Sequence, residues 1–407
     1  MRLLLLLLLL VCTSFAQTLS NIKPAKTYYL NTSIEGCDKH CLREHLELGE
    51  YLSFLARYEP SLSEHVNEYE SIYQSLYQDI IPDFLLHKAK EEVEPLPGPG
   101  FGLSAGVALI IPEKTLKSHA LNIINSALAY ITSLEGDVNF RVFLIGSEDN
   151  EERLKAAIKE AGSYELVLAA VSKESSLREL ASSDAKAIFL PTLNIKDAPF
   201  THEKLFFAGL DYEAQIEKLA IYLSQIDPID SAAIVDNSKL SQNLGRLSQK
   251  ALPNTTLINT GSEFSTKMLG ANQRLRGSGL FMHTPLVKTA LFASQIRALH
   301  LSPSVFLSTQ INYHPDFLSI VQDADRRLFV IAASSKKPNS KLSYQALLLE
   351  QEPQYSWLSY VSMLGLDYFL SKDARSFSEE FLGNQLKFQH QLFKSFEQGF
   401  ALVEEGQ

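Results

Sequence analysis

Polar side chains follow apolar runs at five points in this sequence. Each such junction is a place where a small molecule could be held. In GVALIIPEKTLKSH, Gly106 to His119, a β-branched run stops at Pro112, and Thr115 and Ser118 offer hydroxyl donors just beyond it. The other four are Val171-Ser172-Lys173-Glu174-Ser175, Pro191-Thr192-Leu193-Asn194, Asp236-Asn237 and His283-Thr284-Pro285. Ligands of open α/β sheets sit beyond the carboxyl ends of the strands. Thr115, Ser118, Ser172, Thr192, Asn194, Asp236 and Thr284 are therefore the candidate set for a small polar ligand. Plainer roles compete at each site. Thr115 would equally cap a helix, and Ser172 with Ser175 would do the same. The chain has no glycine between Pro112 and Gly136, so the first junction lacks a ready backbone cradle, and Glu113 and Lys114 would crowd a small anion.

A second cluster is CDKHC, with His45 beyond it. Cys37, Cys41 and His45 stand at i, i+4 and i+8, on one helix face. Cβ atoms at i and i+4 of a regular helix are about 5–6 Å apart, and a disulfide wants about 3.5–4.5 Å. Gly36 lets the chain deviate just before Cys37, so a bridge between Cys37 and Cys41 at the helix start is feasible. A zinc site would need a fourth ligand, and His40 points off the stripe. A redox pair of the C-x-x-C kind needs another spacing. Two free thiols remain the fourth reading. No metal and no cofactor is expected.

No catalytic pattern is present: no G-x-S-x-G, H-E-x-x-H, P-loop or G-x-G-x-x-G. Gly277-Ser278-Gly279 precedes an apolar run, the wrong side for a phosphate cradle. The chain reads as a non-enzyme.

The elements that would position these residues follow from periodicity. Met1-Arg2, the apolar run Leu3 to Val11, and Ser14 and Ala16 at −3 and −1 form an export signal over residues 1–16. The run is too short to span a membrane. Cys12 raises a lipoprotein alternative, but Val11 before it is too bulky for that processing. The expected location is periplasmic. Residues 17–34 lack periodicity and read as a leader. Residues 35–92 carry helical spacing and read as a helical hairpin domain. Tyr69, Tyr73 and Tyr77 form a stripe there, suited to helix packing or, if exposed, to a protein interface. Pro95 to Gly102 is rich in proline and glycine and marks a linker over 93–103.

From residue 104 to 407 short β-branched runs alternate with amphipathic stretches. This is the grammar of parallel βαβ units with helices on both sheet faces. The first series runs VALII, FRVFLI, ELVLAAV, AIFLP and KLFFAGL. The second runs SAAIVD, TTLINT, SGLFMHT, SVFLST and RLFVIAA. The expected fold class is α/β, two doubly wound Rossmann-like lobes split near residue 227, preceded by a small helical domain. The formal net charge of −10 over 407 residues argues against nucleic acid and anionic membranes as partners.

Two five-strand lobes in an exported chain resemble the type I periplasmic-binding fold. VALIIP resembles that family's first strand, and ELVLAAVSKESSLRELA its third strand and following helix. KLFFAGLDYEAQIEKLAIYLSQ resembles the strand that enters the cleft and the helix after it. GLFMHTPLVKTALFASQIRALHLSPSVFLSTQ resembles a strand, helix and strand of the second lobe, and FLGNQLKF a late strand. Within that fold the chain is similar to penicillin-binding-protein activators of the LppC/LpoA type, with shorter N-terminal helices and a poor lipobox. The resemblance implies a non-catalytic envelope protein that contacts a protein partner. The ligand-binding members imply instead a receptor for an amino acid, sugar or peptidoglycan fragment. Ligand-binding members usually carry glycine- and serine-rich turns after the first and third strands. The missing glycines favour the first implication, and the polar strand ends favour the second.

Overall fold

A computed structural model of the chain describes residues 37–58, 101–102, 105–134, 138–226, 228, 230–261, 273–371, 375–396 and 399–403. The export signal, the leader, the tyrosine stripe and most of the linker lie outside the described residues. The chain divides into two units, residues 1–90 and 91–407.

In the first unit, helices α1 (Lys39–Glu47) and α2 (Tyr51–Arg57) pack together. Asp38 caps α1, its carboxylate accepting from the backbone N–H groups of His40 and Cys41. Gly49, at φ +70°, allows the tight turn between the helices.

The second unit begins with β1 (Val107–Ile111), the short helix α3 (Glu113–Leu116), α4 (Ser118–Ser133), β2 (Phe140–Leu144) and α5 (Glu151–Ala161). It continues with β3 (Leu166–Ala169), α6 (Glu174–Ala181), β4 (Ala187–Leu190), β5 (Leu205–Phe207) and α7 (Tyr212–Ile226). A second series follows: β6 (Ser231–Val235), α8 (Lys239–Ala251), β7 (Thr256–Asn259), β8 (Gly279–Met282), α9 (Leu286–Ala298) and β9 (Val305–Ser308). Next come the single turns α10 (Phe317–Ile320) and α11 (Asp323–Arg326), β10 (Phe329–Ala333), α12 (Ser340–Leu348) and α13 (Trp357–Leu370). The chain closes with β11 (Phe381–Leu382), β12 (Gln385–Leu386), β13 (Gln391–Phe396) and β14 (Gly399–Leu402).

The strands form two seven-stranded sheets, ordered β11-β12-β5-β4-β3-β1-β2 and β14-β13-β10-β9-β8-β6-β7. Each holds a parallel five-strand set in the same order, 5-4-3-1-2 by position in its series. The expected two lobes are therefore present. Two further strands extend each set: β12 joins β5 in parallel, and β13 joins β10 antiparallel. The central strands are buried along their whole length, which is why they read as continuous apolar runs.

The lobes part earlier than residue 227. The chain leaves the first sheet after β5, and α7 already packs on α8 and β10. Its buried face, Ile216, Leu219 and Leu223, joins Ala233 and Phe281 in the second lobe's core. Gly209 stands at this crossing. A Cβ there would lie 2.3 Å from the backbone nitrogen of Asn194, so only glycine fits. The chain returns to the first lobe through residues 334–339 and leaves it again through 387–390. Between these crossings α12 and α13 cover α4, and Tyr360, Leu364 and Phe369 complete the first core. Gly365 of α13 lies against the Phe189 ring, where a Cβ would come within 2.2 Å. Among the described residues no helix is long and apolar enough to cross a membrane.

Candidate functional site

In a sheet of this order the connections leave in opposite directions on either side of the first strand. A crevice opens there, beyond the strand ends. In the first lobe that point lies between the ends of β1 and β3. In the second it lies between β6 and β8. Thr115, Ser118 and Ser172 follow the first pair, and Asp236, His283 and Thr284 follow the second. Thr192 and Asn194 follow β4.

The first lobe presents Thr115, Ser118, Ser172 and Thr192 to solvent. The helical stretch after β1 is broken at Lys117, whose φ of +53° ends α3 and starts α4. Neither helix has a side-chain cap at its start, so Thr115 does not serve as one. Ser172 is not a cap either; Lys173 occupies that position. The backbone donors ahead of α6 go to Glu148, in the turn after β2. Its Oε1 accepts from Ser172 N at 2.9 Å and from Lys173 N at 2.6 Å, and its Oε2 from Ser172 Oγ at 3.3 Å. Since β1 lies between β2 and β3, Glu148 reaches past the end of β1 to do this. A carboxylate at a helix start is favoured by the free N–H groups and the helix dipole. Here the chain supplies that carboxylate itself. Beside it, Lys173 Nζ pairs with Asp149, and the Asp149 carboxyl is held below its usual range by that lysine and by Ser147. Glu113 Oε2 accepts from Gly146 N at 2.7 Å, tying the turn after β2 to the turn after β1.

Asn194 is turned inward. Its amide donates to Gly209 O at 3.0 Å and its Oδ1 accepts from Lys196 N, which fastens the β4 turn to the first crossing.

The second lobe's strand ends are buried. Thr284 is inaccessible, and its hydroxyl lies 2.9 Å from that of Thr289. Asn312 Nδ2 donates to Ser308 Oγ at 2.8 Å and to Thr284 O at 3.2 Å. His283 meets Ser248 Oγ through Nε2 at 2.7 Å, and burial pushes its imidazole down to about 3. Asp236 is 4% exposed; Lys288 Nζ lies 2.7 Å from its Oδ2, and Ser238 N donates to Oδ1. Burial alone would raise the Asp236 carboxyl, but Lys288 and Ser238 outweigh it and hold it below its usual range. As they stand, Asn194, Asp236 and Thr284 are satisfied within the protein.

Side chains that sequence reasoning missed join the crossings. Gln310, after β9, accepts through Oε1 from Ser334 N at 2.8 Å and donates through Nε2 to Ser335 Oγ at 2.8 Å. Gln215 of α7 donates to Ser334 Oγ at 2.7 Å and accepts from Gln310 N. Ser334 Oγ also lies 2.7 Å from His390 Nδ1, on the third crossing. Buried polar networks that are satisfied in this way rigidify what they join. No pattern marks these glutamines in the sequence. A cavity of about 500 Å³ is lined by Asn122, His314, Asp316, Glu350, Glu352 and Tyr355.

In the helical unit Cys37 and Cys41 are bridged, with Cα atoms 5.3 Å apart.

No protein-family model matches the sequence, and no curated protein matches it. Solved structures do match the fold. The branched-chain amino acid transporter substrate-binding protein LivJ from Streptococcus pneumoniae, in complex with isoleucine, is 10% identical, with a TM-score of 0.51 over 74% of this chain and 99% of that one. An extracellular ligand-binding receptor from Verminephrobacter eiseniae is 11% identical, with a TM-score of 0.50 over 74% of this chain and all of that one. Full-length LpoA from Haemophilus influenzae is 10% identical, with a TM-score of 0.50 over 87% of this chain and 67% of that one. Residues 91–407 thus have the two-lobed type I periplasmic-binding-like fold. Proteins of that fold include both ligand-binding receptors and LpoA.

Proposed function

We propose that this chain is a non-catalytic, exported cell-envelope protein whose two-lobed body serves as a scaffold for a protein partner, with the regulation of peptidoglycan synthesis as its setting. The observation that carries this reading is Glu148. In a receptor, the amides of Ser172 and Lys173 would be free to meet a ligand's carboxylate. Here they are already bonded to the chain's own carboxylate. The second lobe supports the same reading, because Thr284 and His283 are fully enclosed. The likeness to LpoA adds fold-level support only.

The second reading is a receptor for a small polar ligand such as an amino acid, sugar or peptidoglycan fragment. It is favoured by the exposed hydroxyls of Thr115, Ser118, Ser172 and Thr192 around the first lobe's strand ends. Glu148 would then have to release both amides on binding.

Thermal unfolding of the full chain against amino acids, sugars, nucleosides and peptidoglycan fragments separates the two. A ligand at about 100 times its Kd adds about 2.7 kcal/mol, enough to raise Tm by about 2 °C or more. The scaffold reading expects a flat panel. A shift of that size from one compound class in the wild-type chain, lost in Ser172→Ala, would establish the receptor.

A further inference from the structure

The cluster around the Cys37–Cys41 bridge holds more than a disulfide. The Sγ atoms of Cys37 and Cys41 and a ring nitrogen of His45 all lie within 4.8 Å of one another. His45 is on α1, 6% exposed. Side chains on a helix lean toward its N-terminus, which brings the imidazole back over Cys41, one turn earlier. Cys37 precedes the Asp38 cap and lies outside the helix, so it can fold toward the same point. His45 Nδ1 lies 2.7 Å from Glu50 Oε2. Among the described residues, its Nε2 is buried and has no hydrogen-bond partner. An imidazole with a carboxylate on one nitrogen and nothing on the other has the form of a metal-ligating histidine. Arg57 Nη1 stands 3.8 Å from Cys41 Sγ.

We infer that the dithiol form of this cluster is a site for a thiophilic divalent cation such as Zn²⁺, with Cys37, Cys41 and His45 Nε2 as ligands and Glu50 orienting the imidazole. The disulfide closes the site, and reduction opens it. A small dithiol reductant gives up two electrons and two protons and becomes a disulfide, while Cys37 and Cys41 become thiols. The cation then displaces the two thiol protons and binds two thiolates. Two thiolates balance the charge of a divalent cation, with the Glu50 and Asp38 carboxylates and the Arg57 guanidinium beside the cluster. Tetrahedral zinc places its sulfur and nitrogen ligands roughly 3.5–3.8 Å apart, which the present spacing reaches with shifts of about an ångström. Three protein ligands leave a fourth position for water or for an atom of a partner. The bridge closes a loop of only a few residues, so it removes little entropy from the unfolded chain. That weakens a purely stabilising account of the pair.

The test uses the full chain carrying Cys12→Ser, reduced and then freed of reductant without oxygen, and titrated with Co²⁺ and Zn²⁺. The expected result is one Co²⁺ per chain with a thiolate charge-transfer band, displaced by Zn²⁺, and no band in the oxidised chain. His45→Ala, Cys37→Ser and Cys41→Ser should each weaken binding at least tenfold, and Glu50→Gln about 10–100-fold. X-ray absorption at the zinc edge of the loaded Cys12→Ser chain should show two sulfurs and an imidazole, which needs no ligand variant to fold. A reduced chain without stoichiometric binding, equal binding by the oxidised chain, or a zinc edge without an imidazole would each overturn the assignment.

Discussion

The two lobes share a strand order and satisfy their strand ends in opposite ways. The first lobe does so at its surface. Glu148 crosses from the turn after β2 and sits on two amides ahead of α6, in reach of water. The second lobe does so from within. His283, Thr284 and Asn312 face inward, with His283 Nδ1 and Asn312 Oδ1 buried without a hydrogen-bond partner among the described residues, and Asp236 is held by Lys288. A surface carboxylate can be lifted away at small cost. A buried network cannot be opened without exposing groups that nothing else satisfies. If either lobe retains a ligand seat, it is therefore the first.

The contrast predicts a graded set of effects, the largest in the second lobe. Asn312→Ala removes the donor to Ser308 Oγ and Thr284 O and leaves a buried gap. It should cost about 3 kcal/mol in urea unfolding. A loss below about 1 kcal/mol would mean that this network does not hold the second lobe shut.

The next effect is in pH. His283 binds its proton only near pH 3 in the folded protein, because burial disfavours the charged ring, and near 6.5 when unfolded. Its contribution is fully present above about pH 6.5. Between about 6.5 and 3 the unfolded state holds the extra proton, so stability falls with pH by about 1.4 kcal/mol per unit. That amounts to about 2–3 kcal/mol by pH 4.5. Unfolding curves of the wild type and His283→Gln across this range should diverge, with the variant flatter. Parallel curves would show that the imidazole titrates in the folded state.

Lys288→Met leaves the Asp236 carboxylate buried without its cation. The expected loss is about 1–2 kcal/mol at neutral pH, and it should shrink as the pH falls below about 3.9, where the unfolded carboxyl takes its proton, and on through the lower folded value. Water reaches Lys288, which keeps the effect modest.

The smallest stability change belongs to the first lobe. Glu148→Gln should cost about 0.5 kcal/mol, since the turn is in contact with solvent. Its second readout is binding: Glu148→Ala frees the Ser172 and Lys173 amides and should give the chain weak affinity for small carboxylates that the wild type lacks. A Glu148 variant as damaging as Asn312→Ala would erase the difference between the lobes.

Much of the fold was legible in the sequence. The apolar runs VALII, ELVLAAV and RLFVIAA mark strands because parallel strands are buried on both faces, and burial is written residue by residue. The alternation of such runs with amphipathic stretches implied two lobes. The crossing before α7 was not legible. The face bearing Ile216, Leu219 and Leu223 is equally apolar whichever sheet it covers, and only packing against Phe281 and Ala233 decides. The return of α13 to the first core has the same character, since Gly365 is explained only by Phe189, far away in the chain.

For the candidate site, the sequence by itself determined which residues stand at strand ends: Thr115, Ser172, Thr192, Asn194, Asp236 and Thr284. It also spaced Cys37, Cys41 and His45 for one helix face, but only Cys41 and His45 lie on α1, and Cys37 stands ahead of the Asp38 cap. The tertiary structure decided what each of these residues meets. Glu148 finds Ser172 across an intervening strand, 24 residues away in the chain. Thr284 turns into the lobe to meet Thr289 and Asn312, and Gln310 joins Gln215 to the second crossing. The physical reason is range. Strand and helix positions are set by local periodicity and the burial of neighbouring residues. The partner of a polar side chain is set by whichever group the assembled sheets bring within hydrogen-bonding distance, and no local pattern records that.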